Sequence, residues 1–192
     1  MTIIDLRQDD RQRVVQTALL LLDGFAGTGT AAWTTRHAAM EEVESSLQAD
    51  RISRVALDEN GRVIGWIGAI RSYDGHAWEL HPMVVGRQHQ RRGIGRALVA
   101  DLEEQVGRRG ATTLYLGTDD ENDRTSIGGV DLYPDVLGVL RTIRNRSDHP
   151  FEFYQRVGFV VVGVIPDANG VGKPDILMAK RIVAWPDDRI AR

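Results

Sequence analysis

Residues 78–107 read WELHPMVVGRQHQRRGIGRALVADLEEQVG, an apolar strand, a basic glycine turn and an amphipathic helix in immediate succession. Ile94, Leu98, Leu102 and Val106 recur every fourth position, which predicts a helix over 94–107 with one buried stripe. The turn holds Arg87, Arg91, Arg92 and Arg96 around Gly93 and Gly95, with no acid from Gly86 to Ala97. A helix opening at Gly93–Ile94 leaves its first N–H groups unpaired and carries a partial positive charge there. Glycine lets backbone approach a ligand, and arginine supplies bidentate donors for phosphate oxygens. Residues Gln90–Ala97 are therefore a candidate pyrophosphate cradle. A solvated basic turn that merely starts a helix is the alternative at this point. The turn is not a Walker loop, which needs Gly-Lys-Ser/Thr, and GIGRAL lacks the third glycine of the dinucleotide fingerprint.

Around this unit the pattern is mixed. Val14, Val15, Ala18, Leu19 and Leu22 predict a helix over 9–22, followed by the loop GFAGTGTAAW and a short helix, HAAMEEVESSL. RISRVALDENGRVIGWIGAI is two β-rich runs around Asn60-Gly61, a strong hairpin signal. TTLYLGT is a strand, DDENDRTSIGGVDLYPD a long polar loop and VLGVLRTIRN a helix. PFEFYQRVG is a helix punctuated by Pro150 and Gly158. FVVVGVI and DILMAKRIV are closing strands around the loop PDANGVGKP. The expected order is α-α-β-β-β-α-β-α-α-β-β, one mixed α/β domain over 1–192, with AWPDDRIAR as a frayed end.

Composition narrows the function. The 192 residues are 42% apolar and 27% charged with a net charge of −3, so no overall field points to nucleic acid or to a membrane. The absence of cysteine removes thiol nucleophiles and disulfides. The start, MTIIDLRQDDRQRVVQ, lacks the pattern of a signal peptide, and Ala18–Leu22 is too short an apolar run to span a bilayer. A cytoplasmic protein is expected.

QRRGIG after a strand and before a helix resembles the acetyl-coenzyme A signature Q/R-x-x-G-x-G/A of the GNAT acetyltransferases, and FYQRVGF resembles that superfamily's second motif. WELHPMVV, YLGTDDE, DLYPD, HPFEFYQRVGF and GVIPDANGVGKPDILMAKRI are together similar to the aminoglycoside 6'-N-acetyltransferases with a long acidic loop after the fifth strand. The resemblance implies one GNAT domain, a mostly antiparallel mixed sheet splayed at its central strand and flanked by helices. It implies acetyl-coenzyme A as donor, no metal, a polycationic acceptor and a homodimer. Acetylation of a polyamine or another small cationic amine, and non-catalytic binding of donor or drug, are the alternatives. Two departures stand out: Gly29-Thr30 replaces a Trp-Pro pair, and Asn122 then Asp123 follow the DDE triplet where the group has another acid.

Amine acetylation needs a base, a stabiliser of the carbonyl oxygen and a proton for the leaving thiolate. Strand alternation puts Glu79, His81, Met83 and Val85 on one face. Glu79 is the candidate base, with His81 as alternate. Pro82 has no N–H and argues against a fully paired central strand. The resemblance then implies that the freed N–H of Met83 faces the thioester carbonyl, with Val84, Val85 and Thr118 also along the donor. Tyr154 is the candidate acid, since a phenol near pKa ~10 stays protonated where a thiol near ~8.5 begins to ionise. Acceptor candidates are Trp33, Tyr73, Glu79, Asp119, Asp120, Asn122, Asp123 and Asp131. From Gly117 to Asp135 six acids face Arg124 alone, and Glu41, Glu42 and Glu44 form a second acidic group. On charge alone both segments also fit plain solvated loops.

Overall fold

The computed structural model describes residues 1–29 and 32–184. Seven strands form one open sheet in the order β1-β2-β3-β4-β5-β7-β6. They are β1 (Thr2–Asp5), β2 (Arg51–Leu57), β3 (Val63–Ser72), β4 (Ala77–Val85), β5 (Thr113–Asp119), β6 (Val160–Ile165) and β7 (Asp175–Arg181). Among the described residues only β4 and β5 run parallel. The helices are α1 (Arg11–Phe25), α2 (Arg36–Ser45), α3 (Ile94–Arg108), α4 (Val136–Arg141) and α5 (Phe151–Arg156). Among the described residues no helix is long and apolar enough to cross a membrane.

Each face of the sheet buries its own core. Leu98, Leu102 and Val106 of α3, with Phe151 and Tyr154 of α5, pack on Ile67, Leu80, Leu114 and Met178. Val14, Ala18 and Leu21 of α1, with Ala39 and Val43 of α2, pack on Val55, Trp66 and Val84. Arg54, 8% exposed, is held by Asp5 of β1 and by both oxygens of Asp101 on α3. The Trp66 indole donates to Ser53 Oγ at 2.9 Å, so its buried N–H is satisfied.

The hairpin at Asn60-Gly61 forms, with Gly61 at φ 75°. Other expectations shift for tertiary reasons. β1 lies in residues 1–8, to which the sequence pattern assigns no element, because it gains a ladder on β2 that local pattern does not announce. α1 runs past Leu22 to Phe25, through Gly24. A Cβ there would lie 2.3 Å from Val84 Cγ2, so this glycine serves close packing and does not break the helix. The helix expected over VLGVLRTIRN stops at Arg141. Beyond it, Arg144 exchanges hydrogen bonds with Ser126, and a bridge joins Asn145 to Thr125 of the acidic loop. Of the expected frayed end, residues 185–192 lie outside the described residues, as does Thr30.

The decisive feature lies in β4. It pairs with β5 only at Ala77, Trp78 and Glu79, after which the two strands part. On its other side the register with β3 slips between Ile67↔Met83 and Ala69↔Leu80, leaving His81 and the cis-linked Pro82 opposite Gly68 alone. A Cβ on Gly68 would lie 2.5 Å from the His81 carbonyl oxygen. Gly68→Ala therefore forces backbone apart at the bulge and should lower stability by about 1–3 kcal/mol. A denaturant melt overlaying that of the wild type would show that the bulge has room after all.

Candidate active site

The bulge re-aims β4. The one-face expectation for Glu79, His81, Met83 and Val85 is corrected: Met83 and Val85 turn to the α3 core with Trp78 and Leu80, because the extra residue inverts the alternation. Glu79 and His81 stay on the α1–α2 side. The backbone alternates too. Gly86 N–H donates to Ile64 carbonyl at 3.0 Å, so Val84, two residues back, also faces β3. Met83 and Val85 present their N–H and C=O groups to the gap where β5 has departed. Val84 is thus removed from the cofactor candidates: its backbone is taken by β3 and its side chain, 5% exposed, lies in the α1 core.

At the wide end of this gap stands the start of α3. Gly93 caps it at φ 84° with no side-chain hydrogen bond, and no acid lies in the first turn. Gln90, Arg91, Arg92 and Arg96 are exposed around it. Gln90 Nε2 donates to Val85 carbonyl at 3.1 Å, which ties the turn to the end of β4. Ile94 is 5% exposed, so only its backbone can meet a ligand. Gly95 packs closely: a Cβ there would sit 3.2 Å from Phe153 Cζ of α5. Ala97 is half-buried. Arg87 stands apart from the cradle, since its guanidinium donates to the carbonyls of Asp23 and Ala26 at the end of α1. The unpaired N–H groups, the absent acids and the open backbone of β4 suit a pyrophosphate with an extended tail.

The Phe153 contact brings α5, and with it Tyr154, beside the cradle. Tyr154 is 8% exposed, and burial pushes its phenol well above the ordinary value. Its hydroxyl has no hydrogen-bond partner among the described residues, so it keeps a proton and a free donor. Thr118, 9% exposed, lies on β5 across the gap.

The other side of the sheet gathers acids. Glu79, Tyr115, Gly117 and Asp119 share it, with Tyr115 beside Glu79 in register. Asp175 of β7 faces Asp119 and lays its carboxylate over Gly117, where a Cβ would be 2.3 Å from its Oδ2. Burial, then the charges of Asp119 and Glu79, push the Asp175 carboxyl up to about 6, against a backbone hydrogen bond from Thr118 that favours its ionised form. Its buried Oδ1 has no hydrogen-bond partner among the described residues. Sequence reading missed Asp175, although it lies inside the quoted string KPDI; only the sheet register puts it beside Asp119. Burial and the Asp119 charge also raise the Glu121 carboxyl.

Of the second acidic group only Glu42 turns toward β4. His81 Nε2 lies 3.7 Å from its Oε1, and the imidazole holds the Glu42 carboxyl below its usual range despite burial. Trp33 reinforces this and packs on His81 with ring centroids 5.7 Å apart. Glu41 and Glu44 pair outward with His37 and Arg11.

The acceptor candidates differ in burial and in the bonds they make. Asp120 is fully buried and accepts from Arg124 N, Thr125 N and Thr125 Oγ1 at 2.7, 2.9 and 2.7 Å, so it pins the loop. Asn122 donates to the Thr28 carbonyl and joins the acidic loop to the segment after α1. Asp123 takes φ 52° against Gly128 and Gly129, and Asp131 caps Tyr133 N at 3.1 Å; both are exposed. Asp119 is exposed and accepts from Asn169 Nδ2 at 2.6 Å. Tyr73 is 77% exposed at the rim beside Tyr115. His149, 2% exposed, accepts from Phe151 N at Nδ1, which leaves Nε2–H to donate to the Asp119 carbonyl at 3.0 Å. One imidazole thereby fixes α5 to the end of β5.

A model of the acetyltransferase (GNAT) family matches residues 20–138, and the chain belongs to that family. Its fold is similar to the crystal structure of an aminoglycoside 6'-N-acetyltransferase complexed with coenzyme A, with a TM-score of 0.88 and 38% identity over 97% of this chain and 100% of that one. The aminoglycoside 6'-N-acetyltransferase from Enterococcus faecium gives the same figures. An uncharacterized N-acetyltransferase, YuaI of Bacillus subtilis (strain 168), is 32% identical over 117 residues, 48% of this chain and 67% of that protein.

The Asp175 environment has a stability signature. Its folded carboxyl titrates near 6 and an unfolded one near ~3.9, so the folded state binds more protons in between and loses stability as pH rises through that window. Asp175→Asn should therefore unfold less readily than wild type at pH 8, by on the order of 1 kcal/mol after allowing for screening at a partly exposed site, with the difference closing below about pH 4. Denaturant melts at the two pH values check this; an equal or larger gap at pH 4 would contradict the assigned environment.

Proposed function

We propose that this acetyltransferase moves an acetyl group from acetyl-coenzyme A to the 6'-amine of aminoglycoside antibiotics, so conferring resistance. The observation that carries this reading is the division of charge across the β4–β5 gap. A cationic helix start lies at one end, and Glu79, Asp119 and Asp175 lie on the far face of the sheet. A phosphate-bearing donor and a polycationic acceptor match these two ends. The 38% identity to aminoglycoside 6'-N-acetyltransferases along 97% of the chain supports the acceptor class.

Acetyl-coenzyme A supplies the acetyl group as a thioester. Residues Gln90–Ala97 hold its pyrophosphate through the free N–H groups of α3, and Met83 and Val85 engage its arm through backbone. The Met83 N–H is aimed at developing negative charge on oxygen, a contribution of roughly 3–4 kcal/mol in other enzymes. Glu79 binds the acceptor ammonium and takes its proton, directly or through one water. Tyr154 holds a proton where a leaving thiolate needs one. His81 orients Glu42 and Trp33 beside the acceptor, with Tyr73 at the rim.

The test is chemical. Purified protein, acetyl-coenzyme A and a pair of aminoglycosides differing in a 6' amine or a 6' hydroxyl should release thiol with the amine only, and the acetyl should map to that nitrogen. Equal release with both, acetyl on another ring amine, or release with spermidine alone would replace this reading.

A second copy of the chain is the proposed partner. β6 forms the sheet edge and exposes Val160, Val162 and Ile165 at 62, 59 and 49%. Sedimentation should show a dimer that Val160→Lys/Val162→Lys converts to monomer; a monomeric wild type at micromolar concentration would refute it.

A further inference from the structure

We propose that Tyr115 is a positioning residue that sets the Glu79 carboxylate for proton abstraction, itself set by Ser72. The proposal rests on the reading of Glu79 as base. Glu79↔Tyr115 is the last rung of the parallel β4–β5 ladder before the strands part. Tyr115 is thus the last β5 side chain locked beside Glu79, where β4 begins to lose support. Its hydroxyl donates to Glu79 Oε2 at 3.3 Å. Its single proton being used, it accepts from Ser72 Oγ at 3.1 Å. The relay Ser72–Tyr115–Glu79 occupies Oε2 and leaves Oε1 without a partner among the described residues, free for the acceptor's proton.

The relay is built into strained backbone. Ser72 ends β3, and Tyr73, Asp74 and Gly75 follow at φ 47°, 55° and 91°. Two successive non-glycine residues in the left-handed region are held by surrounding structure. The Arg71 guanidinium donates to the Asp74 carbonyl and packs where a Gly75 Cβ would be. Thr112 N donates to the His76 carbonyl at 2.8 Å, fastening the turn to the start of β5. This conformation stands Tyr73 edge-on to Tyr115, with ring centroids 6.5 Å apart. The turn, the two tyrosines and Ser72 form one bracket around a single carboxylate oxygen.

Glutamate has three rotatable side-chain bonds, and a displacement of about 1 Å in a reacting group can cost on the order of a hundredfold in rate. A hydroxyl 3.3 Å away biases that freedom toward one placement of Oε2. Burial, and the Glu79 charge, raise the Tyr115 phenol, so it remains a donor through the working range.

The experiment is a double-mutant cycle with acetyl-coenzyme A and kanamycin. Tyr115→Phe keeps the ring and removes the hydroxyl. It should lower kcat about tenfold with the KM for acetyl-coenzyme A unchanged, and Ser72→Ala should do the same to a smaller degree. In a Glu79→Gln background, Tyr115→Phe should change kcat by less than twofold. An equal loss in both backgrounds, or a wild-type kcat for Tyr115→Phe beside a slowed Glu79→Gln, overturns this proposal and leaves the base reading standing. A wild-type rate for Glu79→Gln removes the base reading, and the positioning role with it. A readout without acceptor uses ultraviolet titration. The difference between each protein and its Tyr115→Phe partner isolates the Tyr115 phenol, which should ionise at lower pH when Glu79 is glutamine. An unchanged midpoint shows that the two side chains are not coupled and overturns the proposal.

Discussion

The parting of β4 from β5 is the constraint from which the rest follows. Three rungs bind these strands, and beyond Glu79 the edge of β4 toward β5 is left open. Open backbone inside a sheet is expensive unless something satisfies it. The bulge opposite Gly68 decides which groups are left. It sends Glu79 and His81 to one face, Met83 and Val85 side chains to the other, and the Met83 and Val85 N–H groups into the gap. Pro82, with no N–H, sits where a regular ladder would have asked for one. A carboxylate and a set of backbone donors thereby meet at one break in one strand.

Charge is arranged around that break by geometry more than by count. The start of α3 is positive through aligned peptide groups as well as arginines, and the absence of acids there preserves it. On the opposite face, proximity in the sheet matters more than proximity in sequence. Asp120 spends its charge on three loop hydrogen bonds. Asp175, some fifty-five residues away in the chain, is brought against Asp119 and Glu79 and has its carboxyl raised to about 6. His149 ties α5 and the end of β5 together, so the phenol of Tyr154 and the acidic face keep a common frame.

The sequence by itself determined the elements with strong local signals and the family they belong to. The Asn60-Gly61 hairpin, the α3 stripe and the Pro150–Gly158 helix are short-range patterns, and QRRGIG is a contiguous motif whose chemistry comes from local backbone. Glu79, Tyr154 and residues Gln90–Ala97 stand out from contiguous strings in the same way. Tertiary structure decided what depends on distant partners. β1 exists through β2, Gly24 stays helical because Val84 fills its place, and the VLGVLRTIRN segment ends early because Ser126 claims Arg144. Asp120 is buried under its own loop, Asp175 comes to lie beside Asp119, and Val84 packs against α1. The facing of a strand residue alternates with every position, so a single inserted residue inverts it, and no periodicity in the β4 sequence marks where Gly68 of the neighbouring strand allows that insertion.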